Sequence, residues 1–134
     1  LKELDLQQSD LIFRSAERQE VPTYLSIADL CIFFIRPSYS KLASSPTKLA
    51  EIAMMGKRYV TNPGVGDVEQ ITREGNCGLI VGDFSSEEYE KAAKQALNLN
   101  AVVDPGISNY ARNRFALSSG VKKYADIYKK IMEE

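Results

Sequence analysis

Apolar residues along the chain follow two patterns: short, nearly continuous runs, and longer stretches with apolar positions every three or four residues. The first marks strands buried in a sheet, the second helices with one face on a core. Leu30 to Ile35, following Asp29, is almost wholly apolar and predicts a strand buried on both faces. Arg58 to Asn62 and Gly78 to Gly82 predict two further strands, and Asp10 to Ser15 an earlier one. Between them, Pro22 opens a short helix through Ala28 with Tyr24, Leu25 and Ala28 inward. A second helix runs from Ser45 and Pro46 to Gly56, and a third from about Asp67 to Arg73. Ser85 and Glu88 have the spacing of a capping box for a helix to about Leu97. Asp104 and Pro105 begin a helix whose inner side is Ile107, Tyr110, Ala111 and Phe115. Ser118 and Ser119 precede a last helix with Val121, Tyr124, Tyr128 and Ile131 on one face.

Leu1, Leu4 and Leu6 have no helix-start signal before them and predict the tail of an element begun upstream. Four short strands alternating with helices predict an α/β fold: a Rossmann-like, doubly wound parallel sheet with flanking helices, in one domain over 1–134. The two C-terminal helices lack a strand between them. They are expected to pack across the sheet edge or onto a further partner.

The chemistry concentrates where the second helix begins. Pro46 fits a first helical position and Ser45 an N-cap, which puts Thr47 and Lys48 in the first turn. An ammonium there opposes the helix dipole by a few tenths to about 1 kcal/mol, unless an anion such as phosphate visits the site. Glu51 shares a face with Lys48 and either pairs with it or receives ligand hydroxyls. Ser44 and Ser45 are caps or phosphate contacts. Gly64 and Gly66 form a turn around Val65, Asp67 is the expected N-cap of the next helix, and Glu69 is a candidate for the cleft wall. In an open α/β sheet, ligands bind beyond the carboxyl ends of the strands. The Ser44–Lys48, Gly64–Gly66 and Ala16–Glu17–Arg18 segments all follow predicted strands and should crowd one edge.

Composition narrows the field. The chain of 134 residues has 17 Lys and Arg, 18 Asp and Glu, and a net charge of −1, which argues against nucleic acid or anionic membrane as the main partner. With no histidine, Ser-His-Asp, Cys-His and His-zinc chemistry cannot be assembled within the chain. Cys31 and Cys77 lie in apolar runs and read as reduced core residues of a cytoplasmic protein. No apolar run is long enough to span a bilayer.

Four residue patterns carry a resemblance. They are Tyr24-Leu25-x-x-Ala28-Asp29; Ser45-Pro46-x-Lys48-x-x-Glu51-x-x-Met54-x-Gly56-Lys57; Gly64-Val65-Gly66-Asp67-x-Glu69; and Phe115-x-x-x-x-Gly120-Val121-x-x-Tyr124-x-x-Ile127-Tyr128. Together, from about Asp10 to the C-terminus, the chain resembles the C-terminal domain of GT-B glycosyltransferases, most closely the retaining group called family 4 or group 1. The resemblance implies a nucleotide-sugar donor (UDP-, GDP- or ADP-sugar), no metal, and an acceptor held by an N-terminal domain upstream of Leu1. It implies Glu51 on the ribose hydroxyls and Ser44, Ser45, Thr47 and Lys48 near the diphosphate and donor sugar. Gly64, Val65, Gly66, Asp67 and Glu69 would border the pocket, with Ala16, Glu17 and Arg18 near the base. Polysaccharide biosynthesis in the cytoplasm follows as an expectation, compatible with peripheral attachment of the full-length enzyme to the inner membrane face.

Two features depart from the family. Ala43 stands where many members carry a glutamate that contacts the sugar. The phosphate-binding Arg/Lys pair and the first strands are expected upstream, so this stretch alone is expected to be inactive. A GT-B-like nucleotide-sugar epimerase and a non-catalytic nucleotide-sugar-binding or scaffolding module are the alternatives, and Ala43 favours the latter.

Overall fold

The computed structural model describes residues 7–99 and 102–133. The element tail expected at Leu1, Leu4 and Leu6 lies outside the described residues. The elements are α1 (Val21–Ile27), β1 (Cys31–Ile32), α2 (Thr47–Met54), β2 (Tyr59–Thr61), α3 (Val68–Glu74), β3 (Gly78–Ile80), α4 (Ser86–Leu97), α5 (Pro105–Phe115) and α6 (Leu117–Glu133). Among the described residues the strands form one parallel sheet of three, in the order β1-β2-β3. Cys31 pairs with Tyr59, and Tyr59 with Gly78. A Cβ at Gly78 would collide with the Tyr59 carbonyl, so glycine is required for the strands to approach there.

The principal core lies between one face of the sheet and α2, α3 and α5. Leu49, Ile52, Ala53, Tyr59, Val68, Ile71, Ile107 and Ala111 are buried in it. Full burial of each large side chain contributes about 1.5–3 kcal/mol. The Tyr59 hydroxyl lies 3.0 Å from Thr72 Oγ1, which itself donates to the Val68 carbonyl. Both cysteines are free and buried, as their apolar settings predicted. The opposite face carries a smaller cluster of Val60, Val81 and Ala92 under α4.

Local signals explain the element ends. Helix α2 stops at Gly56, whose φ of 68° closes a Schellman turn in which Lys57 N–H reaches the Ile52 carbonyl and Gly56 N–H reaches that of Ala53. The Asp104 carboxylate caps α5 through Gly106 N–H at 2.8 Å and pairs with Arg58 at 2.7 Å. Arg58 also donates to the Asn76 carbonyl, so one guanidinium ties three loops together.

Several sequence expectations need correction. Asp10 to Ser15 forms no strand: Gln8–Asp10 is a 3₁₀ turn, and Ile12 and Phe13 stand 90% and 87% exposed. Strand propensity cannot create a strand without a neighbouring edge to bond. The run after Asp29 is not buried on both faces, because α4 covers β2 and β3 but leaves Ile32 64% exposed. Ser85 caps α4 through Glu88 N–H, but Glu88 bonds Gly82 N–H and Lys91 instead of returning to Ser85, so the capping box is half formed. Ser118 and Ser119 lie inside α6, which begins at Leu117. Helix α5 packs on α2, while the apolar stripe of α6 (Val121, Tyr124, Tyr128 and Ile131) is exposed.

Burial also sets an alkaline limit on stability. It raises the thiols of Cys31 and Cys77 above their ordinary 9.0 and the Tyr59 phenol above 10.0. Tyr110 is pushed up to about 12, by burial first and then by its bond to Glu74. In each case the fold favours the neutral form, so the stabilisation is complete below the unfolded-state value and is lost as pH rises toward the folded one. The thermal midpoint should therefore hold near neutral pH and fall progressively between about pH 9 and 12. A midpoint unchanged across that interval would contradict this burial.

Candidate functional site

The carboxyl ends of β1 and β2 feed two loops, 36–46 and 62–67, and one buried side chain registers them. Asn62, 2% exposed, accepts from Ile35 N–H through Oδ1 and donates to the Ile35 carbonyl through Nδ2, both at 2.8 Å. Its amide extends the parallel pairing beyond the last ladder residues, much as a backbone peptide would. Nδ2 also bonds the Pro63 carbonyl at 2.9 Å, which sets the direction of the glycine turn.

That turn locks against the first loop. Gly66 N–H donates to the Lys41 carbonyl at 3.0 Å, at a φ of 44°. A Cβ at Gly66 would collide with the Ser44 carbonyl, and one at Gly64, where φ is 81°, would press on Pro37. The glycines are therefore required where the two loops touch. Val65, expected at the cleft, instead turns inward and is buried in the core, where it anchors the turn from beneath.

The beginning of α2 also differs from the sequence expectation. Pro46, not Ser45, is the N-cap residue, and no side chain caps the helix. Ser44 Oγ donates to the Lys41 carbonyl at 3.1 Å, so it braces its own loop. Leu49 N–H reaches the Pro46 carbonyl, which leaves the N–H groups of Thr47 and Lys48 without a partner among the described residues. Lys48 and Glu51 are exposed, and neither forms an ion pair with the other or with any other described residue. The simple surface-pair reading of these two residues is not what the structure shows.

Glu51 faces a cavity of about 360 Å³ whose apolar walls include Pro22, Leu25, Met54 and Met55 and whose rim carries Arg18. Thus α1 and α2 bring together two positions 33 residues apart in sequence. Arg18 sits in a turn closed by Glu20 N–H on the Glu17 carbonyl at 2.8 Å, with the Glu20 carboxylate returned to Glu17 N–H at 2.9 Å. Glu17 thereby serves the turn through its backbone. Ala16 lies apart, in a neighbouring cavity of about 410 Å³ with Arg14, whose guanidinium lies 5.6 Å from the centre of the Tyr24 ring.

Asp67 and Glu69 point elsewhere. Asp67 occupies the N-cap position of α3 but makes no side-chain cap bond; its Oδ2 accepts from Arg114 at 3.3 Å. Its Oδ1 is buried without a partner among the described residues. Glu69 pairs with Arg73 at 2.9 Å beside a groove of about 790 Å³ along β3. The charges in that larger groove are already matched, Glu69 with Arg73 and Glu88 with Lys91. Size alone does not make it the better ligand site. Sequence reasoning missed Asn62 as the organiser: an Asn before Pro-Gly reads as ordinary turn chemistry, and its bonds to Ile35 are non-local.

No family model, curated protein or solved structure matches the chain. Among the described residues, no cluster of three or more His, Cys, Asp or Glu could hold a metal, and no helix is long and apolar enough to cross a membrane.

Replacing Asn62 by Ala should destabilise the fold by about 1–3 kcal/mol, because it strands the Ile35 peptide groups. Gly66→Ala should cost about 1–3 kcal/mol from its φ alone, plus the collision with Ser44. Urea unfolding checks both. A loss below about 0.5 kcal/mol, the range of neutral surface changes, would contradict the registration described above.

Proposed function

We propose that the chain is the nucleotide-sugar-binding part of a retaining GT-B glycosyltransferase. The observation that carries this reading is the set of unmatched groups around α2: the bare N–H groups of Thr47 and Lys48, the Lys48 ammonium, and the Glu51 carboxylate one turn on. Backbone N–H groups at a helix start suit phosphate oxygens. A carboxylate suits vicinal ribose hydroxyls, because it can accept from both at once. The cavity continuing from Glu51 to Arg18 gives the nucleoside a place to lie.

On this reading the acceptor oxygen bonds the anomeric carbon as the bond to the diphosphate breaks, the hydroxyl proton passing to the departing diphosphate oxygen, with the anomeric configuration retained. The α2 amides and Lys48 neutralise the negative charge growing on the departing diphosphate, an effect largest in the transition state. Glu51 holds the ribose, which fixes the diphosphate relative to the helix start. Ala43 offers no carboxylate to the sugar, so recognition of the sugar falls to other groups.

NMR-detected titration with GDP and UDP tests the reading at millimolar sensitivity. Glu51 and Lys48 are exposed and unpaired among the described residues, so Glu51→Ala and Lys48→Ala should leave stability unchanged. Each should weaken nucleotide binding about tenfold, the loss expected for one charge-assisted hydrogen bond. The absence of millimolar binding, or a Glu51→Ala variant that binds as the parent does, would overturn it.

A further inference from the structure

We infer that the cavity selects guanine, with Arg18 as its reader; this rests on the donor-site reading above. Arg18 and Glu51 have opposite charges and line the same cavity, yet they are not paired with each other or with any other described residue. The complementary molecule offers hydrogen-bond acceptors at one end, hydroxyl donors at the other, and a flat apolar middle. A nucleoside is such a molecule, with its ribose hydroxyls on Glu51 and its base between the walls formed by Pro22, Leu25, Met54 and Met55.

The sign of the Arg18 end decides the base. A guanidinium only donates, through a planar fork that matches two acceptors side by side. Guanine presents such a pair, O6 and N7. Adenine sets an amino donor beside N7, which repels one arm of the fork. Uracil separates its two carbonyl acceptors by the N3–H donor, so it offers the fork only one of them. The turn closed between Glu17 and Glu20 holds the Arg18 backbone in place, which lowers the entropy lost when its side chain docks.

The test is titration of the protein with GDP, UDP and ADP, repeated on Arg18→Lys and Glu51→Ala. Lysine keeps the charge but loses the fork. GDP should bind about tenfold more tightly than UDP or ADP, from one good bidentate contact. Arg18→Lys should remove most of that preference while leaving UDP affinity within about twofold; a merely structural role for Arg18 would weaken all three ligands together. UDP or ADP binding as tightly as GDP, or an Arg18→Lys variant that lowers all three equally, overturns the guanine assignment. If Glu51→Ala still weakens all three in that case, the donor-site reading survives. Failure of all three nucleotides to bind overturns both.

Discussion

The double bond between the Asn62 side chain and the Ile35 peptide is the constraint from which the rest of the sheet edge follows. Strands β1 and β2 are only two and three residues long, so their own ladder fixes little beyond Ile32 and Thr61. Asn62 continues the pairing past that point with a buried amide that finds acceptors at Ile35 and Pro63 and a donor at Ile35. Leaving any of these groups unpaired in a half-buried place would cost more than the net gain of an ordinary hydrogen bond. The loops leaving both strands are thus held where Gly66 can seat against Lys41 and Ser44. The start of α2 directly follows that seat.

Rigid support and unmatched chemistry meet there. Arg58 is matched by Asp104, Arg114 by Asp67 and Glu74, and Lys94 by Glu90. These contacts hold elements together or lie on solvated faces, where an ion pair adds about 1 kcal/mol or less. Lys48, Glu51 and Arg18 have no such partners among the described residues, although the last two line one cavity. Groups held in position but left unsatisfied by the described residues around them support the proposed binding reading.

The legibility of the sequence followed the range of the forces involved. Local signals were readable: Asp104 before Pro105 caps α5, Ser85 caps α4, and Gly56 ends α2. The three described strands lie within the apolar runs that predicted them. What failed depended on neighbours. Among the described residues Ile12 and Phe13 join no strand edge, and Ile32 stays 64% exposed in an open groove beside α4. At the site, Lys48 was legible as a charge out of place, whereas Glu51 could equally have paired with it and Arg18 was placed near a base only by the family resemblance. Val65, Asp67 and Ser44 were placed at the pocket by the family resemblance, yet their side chains turn to the core, to Arg114 and to Lys41. Asn62 was invisible because its partner lies 27 residues away.

We propose that a nucleotide binds along α2, from its first turn past Glu51 to the Arg18 turn. Amide chemical-shift mapping with GDP tests it directly. The largest shifts are expected on Thr47, Lys48, Glu51, Gly64, Gly66 and Arg18. Shifts centred instead on Arg73, Gly78 and Gln95, along the larger β3 groove, would contradict it.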